Sequence, residues 1–90
     1  MKQAHLLISG LVQGVGFRYY LKGEAKQLQL KGWVQNTPDG KVEAIVQGEK
    51  EKIEKLVSLC NKGTYLSDVK NVVVEWEQIT KQYEEFSIKK

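Results

Sequence analysis

One stretch decides how this 90-residue chain folds: Gly10-Leu11-Val12-Gln13-Gly14-Val15-Gly16-Phe17-Arg18. Before it, apolar side chains recur on one face of a strand that we expect over residues 5–12, at Leu6, Ile8 and Val12. After it, apolar residues at helical spacing predict a helix over residues 17–28, at Leu21, Ala25 and Leu28. The glycines between strand and helix allow a tight loop. Backbone N–H groups can converge at such a junction, where the helix dipole adds positive potential, so the stretch suits an anion.

Arg18 falls in the first turn of the predicted helix. A cation is disfavoured at a helix N-terminus, but the position becomes favourable if a phosphate lies between the dipole and the guanidinium fork. The alternative is that the glycines only make the turn and Arg18 is a surface residue, and the loop alone does not decide between the two. The stretch lacks the G-x-x-x-x-G-K-[ST] pattern of a Walker loop. Tyr19 stands where a dinucleotide fingerprint needs its third glycine.

Further along the chain, hydrophobic periodicity predicts strands over residues 31–37, 41–47 and 69–77 and a second helix over residues 49–61. A short last strand is predicted at Phe86 and Ile88. In the strand over residues 69–77 we expect Val72, Val74 and Trp76 to face inward. The order β-α-β-β-α-β, with the additional C-terminal strand, predicts an α+β, ferredoxin-like two-layer structure. It would have a largely antiparallel sheet with two helices on one face, in a single domain of residues 1–90. That fold alone assigns no function.

A second unusual segment runs from Gly32 to Val42 and contains Asn36 near the end of the predicted second strand. Because one helix joins the first and second strands, the two should run in the same direction. Their ends then lie at one edge of the sheet, which places Asn36 near Arg18. Asn36 can instead serve only the turn at Pro38-Asp39-Gly40, and on its own that interpretation is the better one.

Together the two segments resemble the acylphosphatase family. Residues 10–18 match its pattern G-x-V-Q-G-V-x-F-R throughout, and residues 32–42 match G-[aromatic]-V-x-N-x-x-x-G-x-V, which closes on Gly48. The resemblance covers essentially the whole chain. It implies an enzyme that hydrolyses an acyl phosphate to a carboxylate and inorganic phosphate, with Arg18 holding the phosphate and Asn36 orienting the attacking water. The loop backbone would complete the phosphate cradle, through Gln13, Gly14, Val15, Gly16 and Phe17.

The remaining residues offer little further chemistry. We expect His5 at the surface and Cys60 in the core, and no spacing of ligands suggests a metal or another cofactor. A carboxylate is a good leaving group, so direct attack of water on phosphorus needs little acid–base help. Residues 61–67 lack the Gly-Pro of many relatives, which we expect to alter that loop rather than the chemistry. The acyl-group pocket is open, with Tyr19, Tyr20 and Trp33 as candidates.

Bulk properties set the expected surroundings. The net charge of +3 and the pI of about 9.0 are too mild to indicate a class of partner. A single cysteine excludes an internal disulfide, no apolar run spans a bilayer, and no secretory cleavage site follows the N-terminus. We therefore expect a cytoplasmic monomer with no membrane or nucleic-acid partner. Inorganic phosphate would be its product and a competitive inhibitor.

Two other functions stay open on the residues alone. An RNA-binding module of the same fold needs exposed aromatics on its central strands, and the strand over residues 41–47 has none. A catalytically silent anion-binding domain would keep the loop, but the presence of both Arg18 and Asn36 argues against it.

Overall fold

Five strands and two helices follow one another in the computed structural model, which describes residues 1–89: β1 (Lys2–Leu11), α1 (Phe17–Gln27), β2 (Lys31–Asn36), β3 (Val42–Gly48), α2 (Lys50–Lys62), β4 (Asp68–Glu77) and β5 (Phe86–Ile88). The predicted ferredoxin-like order with its short C-terminal strand is confirmed. Most bounds differ from expectation by one residue. β1 begins three residues earlier than predicted, because Lys2, Gln3 and Ala4 continue the ladder with the end of β3.

The sheet has the strand order β4-β1-β3-β2-β5. β3 is antiparallel to β1 on one side and to β2 on the other, so β1 and β2 run in the same direction. β4 pairs antiparallel with β1, and β5 pairs parallel with β2. The loops that leave β1 and β2 therefore emerge at the same edge of the sheet, on either side of the start of β3.

Both helices pack on one face of this sheet, with α1 against β2 and β5 and α2 mainly against β4. The core between the layers consists of fully or almost fully buried side chains, among them Leu6, Ile8, Val42, Ala44, Val46, Phe17, Leu21, Ile53, Leu56 and Cys60. Burial of each large apolar side chain stabilises the fold by roughly 1.5–3 kcal/mol. Cys60 in this core confirms its predicted structural place. Burial raises the pKa of its thiol to about 12, so no thiolate is available near neutral pH.

Trp76 was expected to face inward with Val72 and Val74, and this prediction is wrong. The tryptophan is 45% exposed, whereas the two valines pack against the core. β4 is an edge strand, and Trp76 lies beside Lys50 and Glu54 at the rim of α2 rather than beneath a helix. Period-two alternation predicted the face of β4 on which Trp76 lies, but it did not predict that α2 leaves this end of the strand uncovered.

The second face of the sheet carries no helix but is crossed by residues 78–85. These residues connect β4 at one edge of the sheet to β5 at the other. The fully buried Gln47 of β3 holds the crossing, since its Nε2 donates to the Lys81 carbonyl at 2.6 Å and its Oε1 accepts from the Tyr83 N–H at 3.1 Å. This face also places His5 Nε2 2.7 Å from Glu43 Oε2, so His5 is half-buried rather than fully at the surface.

Candidate active site

The loop between β1 and α1 is shaped by two glycines in the left-handed region, Gly14 with φ 75° and Gly16 with φ 76°. A Cβ added at either position would meet no atom within 4 Å. Glycine is therefore required here by backbone conformation rather than by space, because the left-handed region costs other residues roughly 1–2 kcal/mol. This loop, residues 13–17, is called the anion loop below.

The anion loop leaves its backbone donors free. Among residues 1–89, no backbone carbonyl accepts a hydrogen bond from the N–H groups of residues 13–16. Gly16 is the N-cap of α1 and supplies no side-chain cap, and the first turn of the helix contains no acidic residue. The first bond of the helix runs from the Tyr20 N–H to the Gly16 carbonyl at 3.0 Å. Unpaired N–H groups and the positive end of the dipole thus meet at one place, an arrangement that attracts phosphate.

Two side chains fasten the anion loop from opposite sides. Gln13 Nε2 donates to the carbonyls of Thr37 and Lys41, each at 2.8 Å, which ties the loop to the β2–β3 hairpin. Thr64 Oγ1 donates to the Val15 carbonyl at 3.2 Å, which ties the loop to the segment between α2 and β4. All three bonds run from a side chain to a backbone carbonyl, so they hold the loop in shape without occupying its N–H groups.

Asn36 is the last residue of β2 and pairs with Val42 of β3. Strand alternation places its side chain on the same face as the buried Val34, toward the helices. Its Oδ1 is buried and has no hydrogen-bond partner among the described residues. A buried acceptor left unpaired costs about 1–3 kcal/mol, so a group that the chain itself does not supply fits at this oxygen.

The turn that follows Asn36 is held by other residues. The Lys41 N–H donates to Thr37 Oγ1 at 3.0 Å, the Gly40 N–H donates to the Thr37 carbonyl at 3.2 Å, and Thr37 Oγ1 donates to Asp39 Oδ1. The hydrogen bond from Thr37 Oγ1, and then that from Lys41 Nζ, hold the pKa of Asp39 below its usual value. Because Thr37 makes these contacts, the turn does not account for the amide of Asn36.

Arg18 is the second residue of α1 and is half-buried. Successive helical residues are rotated by about 100°, so Arg18 and Tyr20 project from opposite flanks of α1. The Tyr20 hydroxyl donates to the Leu59 carbonyl of α2 at 2.9 Å, and Arg18 therefore lies on the flank of α1 that faces away from α2. Among residues 1–89, Arg18 forms no ion pair. Fold and topology thus bring Arg18, the anion loop and the end of β2 to one edge of the molecule.

Of the three aromatics considered for the acyl group, two are committed elsewhere. Tyr20 lies between the helices, where burial and then Glu24 raise the pKa of its hydroxyl. Trp33 lies on the face without helices, where its Nε1 donates to the Tyr83 hydroxyl at 3.2 Å and Lys89 Nζ stacks 4.1 Å from its ring centre. Only Tyr19, which is 65% exposed, stands beside the anion loop.

The described residues give no support to other chemistries. In this part of the chain no three His, Cys, Asp or Glu side chains cluster as metal ligands. The central strands β1 and β3 present His5, Leu7, Glu43 and Ile45 on the open face and no aromatic residue, unlike an RNA-binding sheet. Neither helix within residues 1–89 is long and apolar enough to cross a membrane.

Fold and loop define a small ferredoxin-like domain with an anion-binding geometry at a helix N-terminus. The acylphosphatase family model matches residues 4–88, and the chain belongs to the acylphosphatase family. It is 46% identical over 78 residues to an acylphosphatase of Chloroflexus aurantiacus, covering 87% of this chain and 85% of the relative. It is 47% identical over 76 residues to an acylphosphatase of Thermococcus kodakarensis, covering 84% of each.

A comparison with solved structures also supports membership of the acylphosphatase family. The crystal structure of an acylphosphatase from Bacillus subtilis superposes with a TM-score of 0.97 at 34% identity, covering all of both chains. These matches support an acylphosphatase enzyme, and neither the RNA-binding nor the silent anion-binding interpretation is favoured.

Proposed function

We propose that this protein hydrolyses acyl phosphates to a carboxylate and inorganic phosphate by direct attack of water on phosphorus. The observation that carries the proposal is the buried Asn36 Oδ1, which lacks a partner among the described residues at the edge where the anion loop opens. A phosphate-binding loop and an unpaired acceptor for water are the two parts that this reaction needs.

The phosphoryl group would be held by the backbone N–H groups of Gln13, Gly14, Val15, Gly16 and Phe17 and by the guanidinium of Arg18. Charge spreads over the phosphoryl oxygens in the transition state, and preorganised donors stabilise it there. The unpaired N–H groups of the loop support this role, as does the place of Arg18 in the first turn of α1 beside the loop. No metal enters the proposed step.

Asn36 would accept a hydrogen bond from the attacking water. An amide is not a base near neutral pH, so its contribution is to hold the water in line with phosphorus. The water oxygen forms the new bond to phosphorus, and the bond from phosphorus to the acyl oxygen breaks with its electron pair leaving on the carboxylate. The proton of the water passes to a phosphoryl oxygen. Atoms and charge balance without a further reactant.

The test is hydrolysis of benzoyl phosphate followed by absorbance, with and without a chelator, in wild type and Arg18→Ala. We expect chelator-resistant turnover that falls about 10²- to 10³-fold in Arg18→Ala, together with weaker inhibition by inorganic phosphate. Lys22→Ala, which removes a cation one turn further along α1, serves as the matched control. No turnover by folded wild type, or loss of turnover on chelation, would contradict the proposal.

We also propose a single domain over residues 1–90 that acts as a cytoplasmic monomer without nucleic-acid or membrane partners. Support comes from the unpaired Cys60 and from the small net charge of +3. Inorganic phosphate should inhibit competitively, because product and substrate would share one cradle. Noncompetitive inhibition would separate the phosphate site from the reaction.

A further inference from the structure

The segment between α2 and β4 ends in a tight turn, residues 64–67. The Thr64 N–H donates to Ser67 Oγ at 2.7 Å, Ser67 Oγ donates to the Thr64 carbonyl at 3.0 Å, and the Ser67 N–H donates to the same carbonyl at 3.2 Å. Three bonds between the two end residues fix the shape of the turn. The two residues between them, Tyr65 and Leu66, are held out from the body of the protein and are 100% and 64% exposed.

This turn adjoins the anion loop. Thr64 Oγ1 bonds to the Val15 carbonyl, so the residue before Tyr65 is in direct contact with the loop. On the other side of the turn, Asp68 begins β4 and pairs with Leu11, the last residue of β1, which is itself 56% exposed. Leu11, Tyr65 and Leu66 are thus exposed apolar residues in the segments that adjoin the anion loop on its β4 side, and together they are called the apolar rim below. Isolated exposed apolar residues are ordinary, but three of them around one loop are not.

The attacking water would be held on the opposite side of the loop, the side that faces the β2–β3 hairpin. Gln13 ties that side to the β2–β3 hairpin, and Asn36 ends β2 there. In phosphoryl transfer the attacking and leaving oxygens lie roughly in line through phosphorus. A water held from the hairpin side therefore expels the carboxylate toward the β4 side, where the apolar rim stands. This step rests on the proposed function of the site.

We propose that Tyr65 and Leu66, together with Leu11, form the contact surface for the acyl group and favour substrates with an aromatic or large apolar acyl group. The hydrogen bonds of the turn fix its backbone before substrate arrives, so only the side-chain rotamers of Tyr65 and Leu66 have to be ordered on binding. Since the rim is open to solvent, discrimination should be modest. Contact between one aromatic ring and an aromatic acyl group corresponds to roughly 3- to 10-fold in kcat/KM.

The experiment compares benzoyl phosphate with acetyl phosphate, which share the reacting group and differ in the apolar part of the acyl group. The measured quantity is the ratio of their kcat/KM values in wild type, Tyr65→Ala, Leu66→Ala and the double variant. The inhibition constant of inorganic phosphate, which has no acyl group, is measured beside it. Trp76→Ala is the matched control, because it removes an exposed aromatic from the far end of β4, opposite Ala4.

We expect the benzoyl-to-acetyl ratio to fall roughly 3- to 10-fold in Tyr65→Ala and further in the double variant, through KM more than kcat. The ratio in Trp76→Ala and the inhibition constant of phosphate in all variants should match wild type. An unchanged ratio in the double variant would overturn the inference. So would equal losses for both substrates with weaker phosphate inhibition, which would mean that the turn only supports the loop. Absence of turnover on either substrate in wild type would refute the proposed function itself.

Discussion

Asn36→Ala separates a catalytic role of Asn36 from a structural one, because the two predict opposite changes in stability. The substitution removes a buried Oδ1 that has no partner among residues 1–89. No hydrogen bond of the described residues to this oxygen is lost, and a water ordered by it would carry an entropy cost of about 0–2 kcal/mol. The free energy of unfolding should therefore be unchanged or up to about 2 kcal/mol higher. For a domain of this size, each 1 kcal/mol corresponds to a change of about 4–8 °C in Tm.

Activity should move the other way. Loss of a preorganised group that acts in the transition state lowers kcat by about 10²- to 10³-fold. The inhibition constant of inorganic phosphate should stay near the wild-type value, because the loop and Arg18 would still hold the phosphate.

The assay is thermal unfolding by circular dichroism alongside kcat for benzoyl phosphate and phosphate inhibition on the same preparations. Asn71→Ala, which removes an exposed asparagine from β4, is the control. A lower Tm with near-normal kcat per folded molecule would refute the reasoning and return Asn36 to a structural role. A weakening of phosphate binding as large as the loss of kcat would place Asn36 in the phosphate cradle instead.

Two further substitutions test the loop and the open face of the sheet. Gly16→Ala should lower the free energy of unfolding by about 1–2 kcal/mol, roughly 4–16 °C in Tm, and bind phosphate more weakly, because the φ of 76° at this position suits glycine. The control Gly23→Ala, in the interior of α1, should instead be neutral or stabilising. Equal effects of the two substitutions in thermal unfolding would contradict the conformational argument. The pKa of Glu43 is lowered first by its hydrogen bond with His5 and then by that with Gln35. The ionised Glu43 carboxylate therefore stabilises the fold above pH 4.5, and this stabilisation is lost as the pH falls through the lowered pKa of the folded state. Glu43→Gln should therefore be less stable than wild type in urea unfolding at pH 7, and the difference should shrink at pH 3. For the exposed control Glu54→Gln, the difference from wild type should be the same at both pH values. The same constancy in Glu43→Gln would exclude a coupling between ionisation of Glu43 and folding.

The order of elements and the common edge of the two motifs were predictable from sequence, since both follow from local patterns. Apolar spacing assigned the strand and helix faces, and one connecting helix fixed the shared direction of β1 and β2. The place of Asn36 beside the anion loop follows from these two facts. The unpaired state of the Asn36 Oδ1 atom does not follow from them, because it depends on how the neighbouring side chains are oriented.

Contacts between distant loops were not predictable. The bond from Thr64 to Val15 joins residues 49 positions apart, and no spacing in either segment encodes it. Residues 61–67 lie far from both motifs along the chain, whereas the structure brings Thr64 against the anion loop. Trp33 was considered for the acyl group because it is close to Asn36 in sequence, but strand alternation places it on the other face. Nearness along the chain is a poor guide where side chains alternate.

The central place of β1 in the sheet has a consequence for synthesis of the chain. β1 is translated well before β4, one of its two partners, because Gln3 pairs with Glu77 across 74 positions. Until β4 has left the ribosome, β1 would offer one unpaired side and an exposed apolar surface, and such long-range pairing slows folding. The loop that follows β1 would take its final form only after β4 has also been translated. Chaperone demand during translation should therefore fall on the nascent chain before residue 77 is released.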